Sequence, residues 1–526
     1  MKKNLFLLFL LALFLFTFKI GSTPILDGDT AFWARIAKNI LESGDWLTLM
    51  FVDPSNIIDK PPLFPWMIAL GFKLFGINEF ALSIFHSILA ALTVLLTYLI
   101  ARELFDEKTA FWSALILLTS AQFFYQGRSP LQDMPLTVFI TASLWAFIKW
   151  EKNKSCWFFY LSGAFAALAV MSKGPVGLAL PAVVILSYVL FSRKWKLVFN
   201  WHLIGGILAF LLLTAPWFVA EYRILGPRFM QAMWSGHFGR FLSPVDLVGK
   251  PSVENTIKPQ FNFYAYFLQL FLLAVPWSGF IYPAWLKYFR DKKMLFILCW
   301  SLGVILFFSL SLNYKISRYI LPAFPALAIL IAKFWMDFVD DPEKFRRPMK
   351  VSIWLTTLLI IPLLFLGTVY LIYAFPAEQA GYRPILLPFL ALFSIGMTIS
   401  TVLWFRRKPL LSLKSFTLSA LIAYIALIPL VAVYFKEANP IKEYCRKIEN
   451  FYRPGDLIVK YKGFDDHFMM FYLDQKVLTI NEEREMKRML NGRARVLSVT
   501  EEPDSLKNLK VKVLSRKNNF VLFSNR

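Results

Sequence analysis

The feature that most constrains this chain is the recurrence of apolar runs long enough to cross a bilayer. Crossing roughly 30 Å of hydrocarbon takes about twenty predominantly apolar residues in a helix. Runs of that kind lie near residues 5–20, 80–101, 110–125, 134–150, 157–172, 175–191, 203–221, 264–285, 294–311, 319–336, 353–375, 384–404 and 415–435. That is about thirteen spans by hydropathy. Inside hydrocarbon every backbone polar group must be satisfied within its own segment, so the pattern dictates an all-α polytopic bundle. Of the 526 residues, 57% are hydrophobic and only 17% charged. Soluble chains carry roughly 25% charged residues. The opening MKKNLFLLFLLALFLFTFKIGS resembles a secretory leader, but no small-residue cleavage site follows and the chain stays apolar, so it reads as a retained first span.

The formal charge of +23 suggests nucleic acid at first, but no basic helix, zinc finger or aromatic RNA motif accompanies it. In a membrane chain it speaks for orientation and for contact with anionic lipid. With the N-terminus in the cytoplasm, RELFDEK, KWEKNKS, SRKWK, LKYFRDKK, DPEKFRRPMK and RRKPLLSLK all fall inside. About 22 Lys and Arg then sit in roughly 66 inside residues, against about 14 in roughly 127 outside residues. An odd number of spans leaves 436–526 outside. Cys156, Cys299 and Cys445 are far apart and lack CxxC spacing, which argues against a disulfide framework and a thiolate metal site.

The expected organisation is a transmembrane unit, 1–435, with long outside loops at 21–79 and 222–263, and a small soluble α/β domain at 436–526. Within the first loop FPWMIALGFKLFG reads as an amphipathic helix on the membrane surface. In the tail GDLIVKY, FMMFYL, KVLTI, ARVLSV, VKVLS and FVLF read as short β-like runs and EEREMKRMLN as a helical insert. A domain of this size is marginal alone and workable if docked on the membrane part.

Ionisable residues concentrate on the outside face: Asp27, Asp29, Arg35, Asp53, Asp59 and Lys60; Arg128, Asp133 and Lys173; Glu221, His237 and Arg240; Lys315, Arg318 and Tyr319. Such groups at membrane depth are costly, and function is their first explanation. Each also has a plainer one. TAFWARIAKNIL reads as a helix with Phe32, Ile36 and Ile40 on one face, which puts Asp29 at its N-cap with Asp27 just ahead. In DKPPL the two prolines exclude a helix, so Asp59 and Lys60 lie on opposite faces of extended backbone, as an ion pair or as a carboxylate and ammonium for a ligand. Asp133 in QDMPL is a helix cap or an acid at the mouth of a span. Lys173 in SKGP is a snorkelling lysine or a cation at a tight turn. His237 is one of four histidines, solvated or functional. Lys315, Arg318 and Tyr319 are interfacial anchors or a phosphate grip. No P-loop, GxSxG, HExxH or Rossmann glycine pattern is present, which argues against ATP-driven transport and a nucleophile-elbow hydrolase.

In that order DGDTAFWARIAKNILESGDW, DKPPL, QDMPLT, KGPVGLALP, HFGRF and KISRYILPAFPAL resemble the bacterial GT-C glycosyltransferases, above all the lipid A 4-amino-4-deoxy-L-arabinose transferase group, which is related to protein O-mannosyltransferases. The resemblance covers most of the first 340 residues. It implies transfer of a sugar from a polyprenyl phosphate to lipid A or another envelope acceptor on the periplasmic side of a bacterial inner membrane. On this resemblance Asp29 is the essential first-loop acid and Asp133 the second acid. Lys60, Lys173, Arg318 and Tyr319 attend the donor phosphate, and Asp59 with His237 corresponds to a site for a divalent metal such as zinc. Asp59 stands where that group has Glu, one methylene longer. The aminoarabinose group reads DExRYAEI where this chain has DTAFWARI, a departure that bears on the sugar or the acceptor. An O-mannosyltransferase acting on Ser/Thr hydroxyls is the alternative within the family. A polyprenyl-lipid flippase or transporter, or a scaffold that uses the tail as a binding module, are the readings outside it. A transporter predicts inverted repeats, and a scaffold has no need of Asp29 or Lys60.

Overall fold

The computed structural model describes residues 2–51, 58–239, 241, 262–312, 315–369 and 383–526. Asp53, Arg240, half of the second long loop and the end of the eleventh apolar run lie outside the described residues.

The first loop follows helix α1 (Lys2–Thr17) and folds into α2 (Gly28–Ser43) and α3 (Leu63–Phe75). In α2 the stripe Trp33, Ile36, Ala37 and Ile40 is buried at helical spacing, and Gly44 ends the helix in a left-handed conformation at φ 73°. In α3 Phe64, Ile68 and Phe72 face inward while Leu70, Leu74 and Phe75 are exposed, the two-faced pattern expected of FPWMIALGFKLFG. The bundle continues through α4 (Glu79–Leu104), α5 (Glu107–Leu118), α6 (Ala121–Arg128), α7 (Asp133–Asn153), α8 (Cys156–Lys173), α9 (Val176–Ser192), α10 (His202–Leu225) and α11 (Pro227–Met233). After the second loop come α12 (Ala265–Leu273), α13 (Ser278–Tyr288), α14 (Leu295–Ser309), α15 (Phe324–Asp340), α16 (Pro342–Val369), α17 (Arg383–Phe405) and α18 (Pro409–Ala438).

Each expected apolar run contains helix, but not always one straight helix. Among the described residues, six helices are individually long and apolar enough to cross a membrane. A seventh candidate is α6 with α7, bent by 115° at their junction. The run at 264–285 is likewise broken between α12 and α13. Deep in the bundle the fully buried indoles of Trp277 and Trp300 donate to Thr119 Oγ1 at 3.0 Å and the Pro322 carbonyl at 2.8 Å, as buried polar tips must. Arg128 is not at the candidate site. Its guanidinium donates to the carbonyls of Leu15 (2.6 Å), Phe16 (3.2 Å) and Phe18 (2.9 Å), satisfying the otherwise orphaned C-terminus of α1.

The tail carries α19 (Ile441–Phe451), β1 (Leu457–Tyr461), α20 (His467–Tyr472), β2 (Val477–Ile480), α21 (Glu483–Leu490), β3 (Val496–Thr500), β4 (Lys512–Lys517) and β5 (Phe520–Ser524). The sheet order is β2-β1-β3-β5-β4; β1 is parallel to β2 and β3, and β5 antiparallel to β3 and β4. FMMFYL, expected as a strand-like run, is the helix α20. Asp465 accepts the His467 backbone N–H at 3.0 Å, and Phe468, Met469 and Phe471 turn inward, so an acidic start and a buried face outweigh strand propensity. The tail shares one hydrophobic core with α2 and α3, in which Trp33, Ile36, Phe72, Tyr444, Phe468 and Phe471 pack together. That shared core puts the tail on the same side of the bundle as the first loop.

Candidate active site

The site begins at the first turn of α2, where the structure corrects the expected cap. Asp27, not Asp29, caps the helix: in extended backbone (φ −119°, ψ 129°) its Oδ1 accepts the N–H groups of Asp29 at 2.8 Å and Thr30 at 3.2 Å. Burial and then the neighbouring Asp29 charge raise the Asp27 pKa, against the pull of Arg318 and the two N–H donors. With the cap supplied by Asp27, the Asp29 carboxylate turns outward. Its Oδ2 meets Arg318 Nη2 at 2.5 Å while the side chain stays 59% exposed.

Asp133 is equally misread as a cap. The N-cap position of α7 is Gln132, which makes no side-chain cap bond. Asp133 stands in the first turn, its side chain 3% exposed, and holds two cations: Lys173 Nζ at 2.5 Å from Oδ1 and Arg318 Nε at 3.5 Å from Oδ2. Lys173 does not snorkel. It is the last residue of α8, and Gly174 at φ 90° turns the chain so sharply that the ammonium points back at Asp133 and over the Tyr319 ring, 4.4 Å from its centroid. Arg318 lies in the 3-10 turn Ser317–Ala323 ahead of α15. Through Nη2 and Nε it bridges the two acids, a task that suits the planar guanidinium fork.

A second group adjoins this one at Gly174. A Cβ there would lie 2.4 Å from the His237 ring. His237, in the π-helical turn Trp234–Gly239, places Nε2 at 2.7 Å from the Asp59 carbonyl oxygen. Asp59 and Lys60, expected on opposite faces, instead pair with each other at 2.7 Å, because the lysine stem is long enough to curl back. Asp59, Lys60 and His237 therefore do come together, beside Lys173. The remaining candidates serve elsewhere. The Lys315 ammonium donates to the carbonyls of Phe308 and Ser309 at 3.0 Å and to that of Ser311, closing the C-terminus of α14. Arg35 pairs with Glu42 at 3.3 Å, and Glu221 is buried within α10.

Among the described residues, one group of three side chains has the spacing to hold a metal ion. It is Asp465, Asp466 and His467 of the tail, with ligand atoms within 4.8 Å of one another. Reading the first loop and the tail separately gave no reason to join them. Yet Asp465 packs directly on Gly28, between Asp27 and Asp29. The signal within the sequence was GFDDHF, an acid pair and a histidine in a tail of otherwise apolar runs.

Residues 59–219 match the family described as dolichyl-phosphate-mannose-protein mannosyltransferase. An uncharacterised protein of Aquifex aeolicus is 29% identical over 487 residues, 92% of this chain and 89% of that protein. The undecaprenyl phosphate-alpha-4-amino-4-deoxy-L-arabinose arabinosyl transferase of Erwinia tasmaniensis is 29% identical over 332 residues, 60% of this chain; the chain thus spans 56% of that enzyme's length. Among solved structures, apo ArnT of Cupriavidus metallidurans superposes with a TM-score of 0.79 at 20% identity, covering 100% of this chain and 98% of that one. The same protein bound to undecaprenyl phosphate gives 0.78. The fold is that of ArnT, the fold of the GT-C membrane glycosyltransferases. Within it, the named relatives stand in the aminoarabinose transferase branch, the group that the ordered motifs resemble.

Proposed function

We propose that the protein transfers a sugar from a polyprenyl-phosphate donor to lipid A or a related envelope acceptor at the outer face of a bacterial inner membrane. The observation that carries this reading is the bridge Asp29–Arg318–Asp133–Lys173, two acids and two cations drawn from four separate elements. Within these four groups the charges balance, so an arriving phosphate competes with a carboxylate for the cations. Asp133 is buried and holds both cations, whereas Asp29 is exposed and is the partner that exchanges. The donor phosphate then takes the Asp29 place on Arg318, beside Lys173 and Lys60, and the freed carboxylate turns to the acceptor. Cations fixed where charge develops on the leaving phosphate supply the main electrostatic help. The acceptor oxygen bonds to the anomeric carbon, the bond from that carbon to the phosphate oxygen breaks with its electron pair going to the phosphate, and the configuration inverts. A hydroxyl acceptor gives its proton to Asp29 as general base. A phosphate acceptor is already anionic, and Asp29 then orients it. Tyr319 holds the Lys173 ammonium over its ring.

The named relatives' donor carries a long isoprenoid, and an apolar groove is the place in the bundle that suits part of such a chain. This groove of about 400 Å3, lined by Phe147, Phe159, Ala166, Leu178, Pro181 and Phe210 among others, lies between α7, α8, α9 and α10, two helical turns of α8 away from Lys173. A divalent cation at Asp59 and His237 would have to displace Lys60 and turn the imidazole off the Asp59 carbonyl, so no step is routed through it. A second reading, transfer to protein hydroxyls, is favoured by the mannosyltransferase family match across 59–219.

Mass spectrometry of lipid A and envelope glycoproteins from cells with and without the gene tests the proposal and its acceptor. A sugar missing from lipid A in the deletion strain supports the first acceptor, and one missing from protein the second. If both profiles are unchanged, and the purified protein moves no sugar from an undecaprenyl-phosphate donor, the proposal is wrong.

A further inference from the structure

The residue between the helix cap Asp27 and the exchangeable acid Asp29 is Gly28. No left-handed φ demands glycine there; space does. A Cβ at position 28 would lie 2.0 Å from Asp465 Oδ2, a carboxylate belonging to the C-terminal domain. That carboxylate is itself fixed, since Asp465 Oδ1 accepts from the His467 backbone N–H and lies 3.0 Å from His467 Nδ1. The His467 ring in turn sits 5.4 Å from Phe32, one turn along α2, and 4.9 Å from Phe51. Further along the same seam Lys38 pairs with Asp474, and the Ile25 N–H donates to the Tyr472 hydroxyl at 3.1 Å. That hydroxyl donates at 3.0 Å to Glu79, which also holds Lys442 at 2.5 Å. The domain therefore grips α2 from before its first turn to beyond its middle, and Asp465 leaves no room for a side chain at Gly28, on the turn that presents Asp29. A carboxylate is also the right charge for a helix N-terminus, where the dipole is positive.

We infer that the C-terminal domain is part of the active site: Asp465, braced by His467, is a positioning residue that sets the first turn of α2 and hence the reach of Asp29 to Arg318 and the acceptor. The inference rests on the proposed transfer reaction, because only there does the placement of Asp29 govern a rate. Displacement of a reacting group by about 1 Å costs on the order of a hundredfold, so small shifts at Gly28 are measurable.

The test is a pair of substitutions in the full-length protein, assayed for transfer from an undecaprenyl-phosphate sugar and for binding of undecaprenyl phosphate alone. Gly28→Ala is expected to lower kcat by roughly tenfold or more, with a smaller change in the affinity for undecaprenyl phosphate, which Arg318, Lys173 and Lys60 hold. Asp465→Ala is expected to lower kcat less, and Asp465→Asn, which keeps the shape and the acceptor for the His467 N–H, to recover most of that loss. In the double variant Gly28→Ala/Asp465→Ala the clash is gone, and kcat should rise above that of Gly28→Ala. A double variant no faster than Gly28→Ala, or a Gly28→Ala protein as active as the parent, overturns the inference. If the parent protein itself transfers no sugar, the proposed function has failed instead. Hydrogen exchange then decides the positioning: faster exchange of the Thr30–Arg35 amides in Asp465→Ala upholds it, and unchanged exchange overturns it.

Discussion

Two helices of this protein carry a candidate acid in the first turn, and the two acids have opposite fates. Asp29 of α2 is 59% exposed with one cation on one oxygen; Asp133 of α7 is 3% exposed with a cation on each oxygen. The difference comes from what surrounds each turn. Asp27 supplies the cap of α2, and the exposed turn leaves Asp29 on the rim. The 115° bend between α6 and α7 instead drives Asp133 into the bundle, where its charge is tolerable only because Lys173 and Arg318 converge on it. One acid is therefore buried between two cations and the other exposed beside one, and Arg318 joins them.

The largest expected effect separates these roles. Asp133→Ala should abolish transfer and also lower stability by about 3–5 kcal/mol, the cost of stranding a buried cation. Asp29→Ala should abolish transfer and leave the melting temperature nearly unchanged, since an exposed ion pair contributes about 0–1 kcal/mol. Thermal unfolding in detergent beside a transfer assay checks both; equal losses of stability would erase the distinction. Next in size is Arg318→Lys. It keeps the charge, but one ammonium cannot span both carboxylates, so transfer should fall roughly ten- to a hundredfold. A lysine variant as active as the parent would show that the bridge itself is unnecessary. Gly174→Ala comes third. It places a side chain at φ 90° and against the His237 ring, a strain of about 1–3 kcal/mol. It should weaken binding of undecaprenyl phosphate by moving Lys173, while Asp29 keeps its contact. Titration with that lipid measures it, and unchanged affinity would detach Lys173 from the donor.

The smallest effect is one of pH. The Asp27 pKa is raised above 3.8 in the folded protein, so the folded state holds this proton more tightly than the unfolded chain. Its contribution to stability is full below 3.8 and is lost as pH rises through the folded value. Asp27→Asn should flatten that part of the stability profile, as thermal melts across acidic pH will show; parallel profiles would mean that the carboxyl titrates normally.

Much of this was legible in the chain. Apolar length announced the bundle, the motif order carried the family resemblance, and Asp29, Asp133, Lys173 and Arg318 were all singled out as candidates. What misled was local reasoning about caps and turns. Both acids sit where helix-start rules put a cap, yet Asp27 takes that work for α2, and Asp133 gives both oxygens to cations. Arg128 and Lys315 looked like site cations and are instead spent on the carbonyl ends of α1 and α14. FMMFYL has strand composition and is a helix because its buried face and acidic start decide.

The sequence by itself determined which segments are apolar enough to be buried in lipid and which residues carry charge at their ends, because hydrophobicity and charge are properties of residues taken one at a time. Tertiary structure alone decided the pairings: that Arg318 reaches two acids, that His237 lies on Asp59 beside Gly174, and that Asp465 of the tail closes on Gly28. Contacts between groups hundreds of residues apart depend on how helices bend and pack, and no local pattern records where those bends bring them.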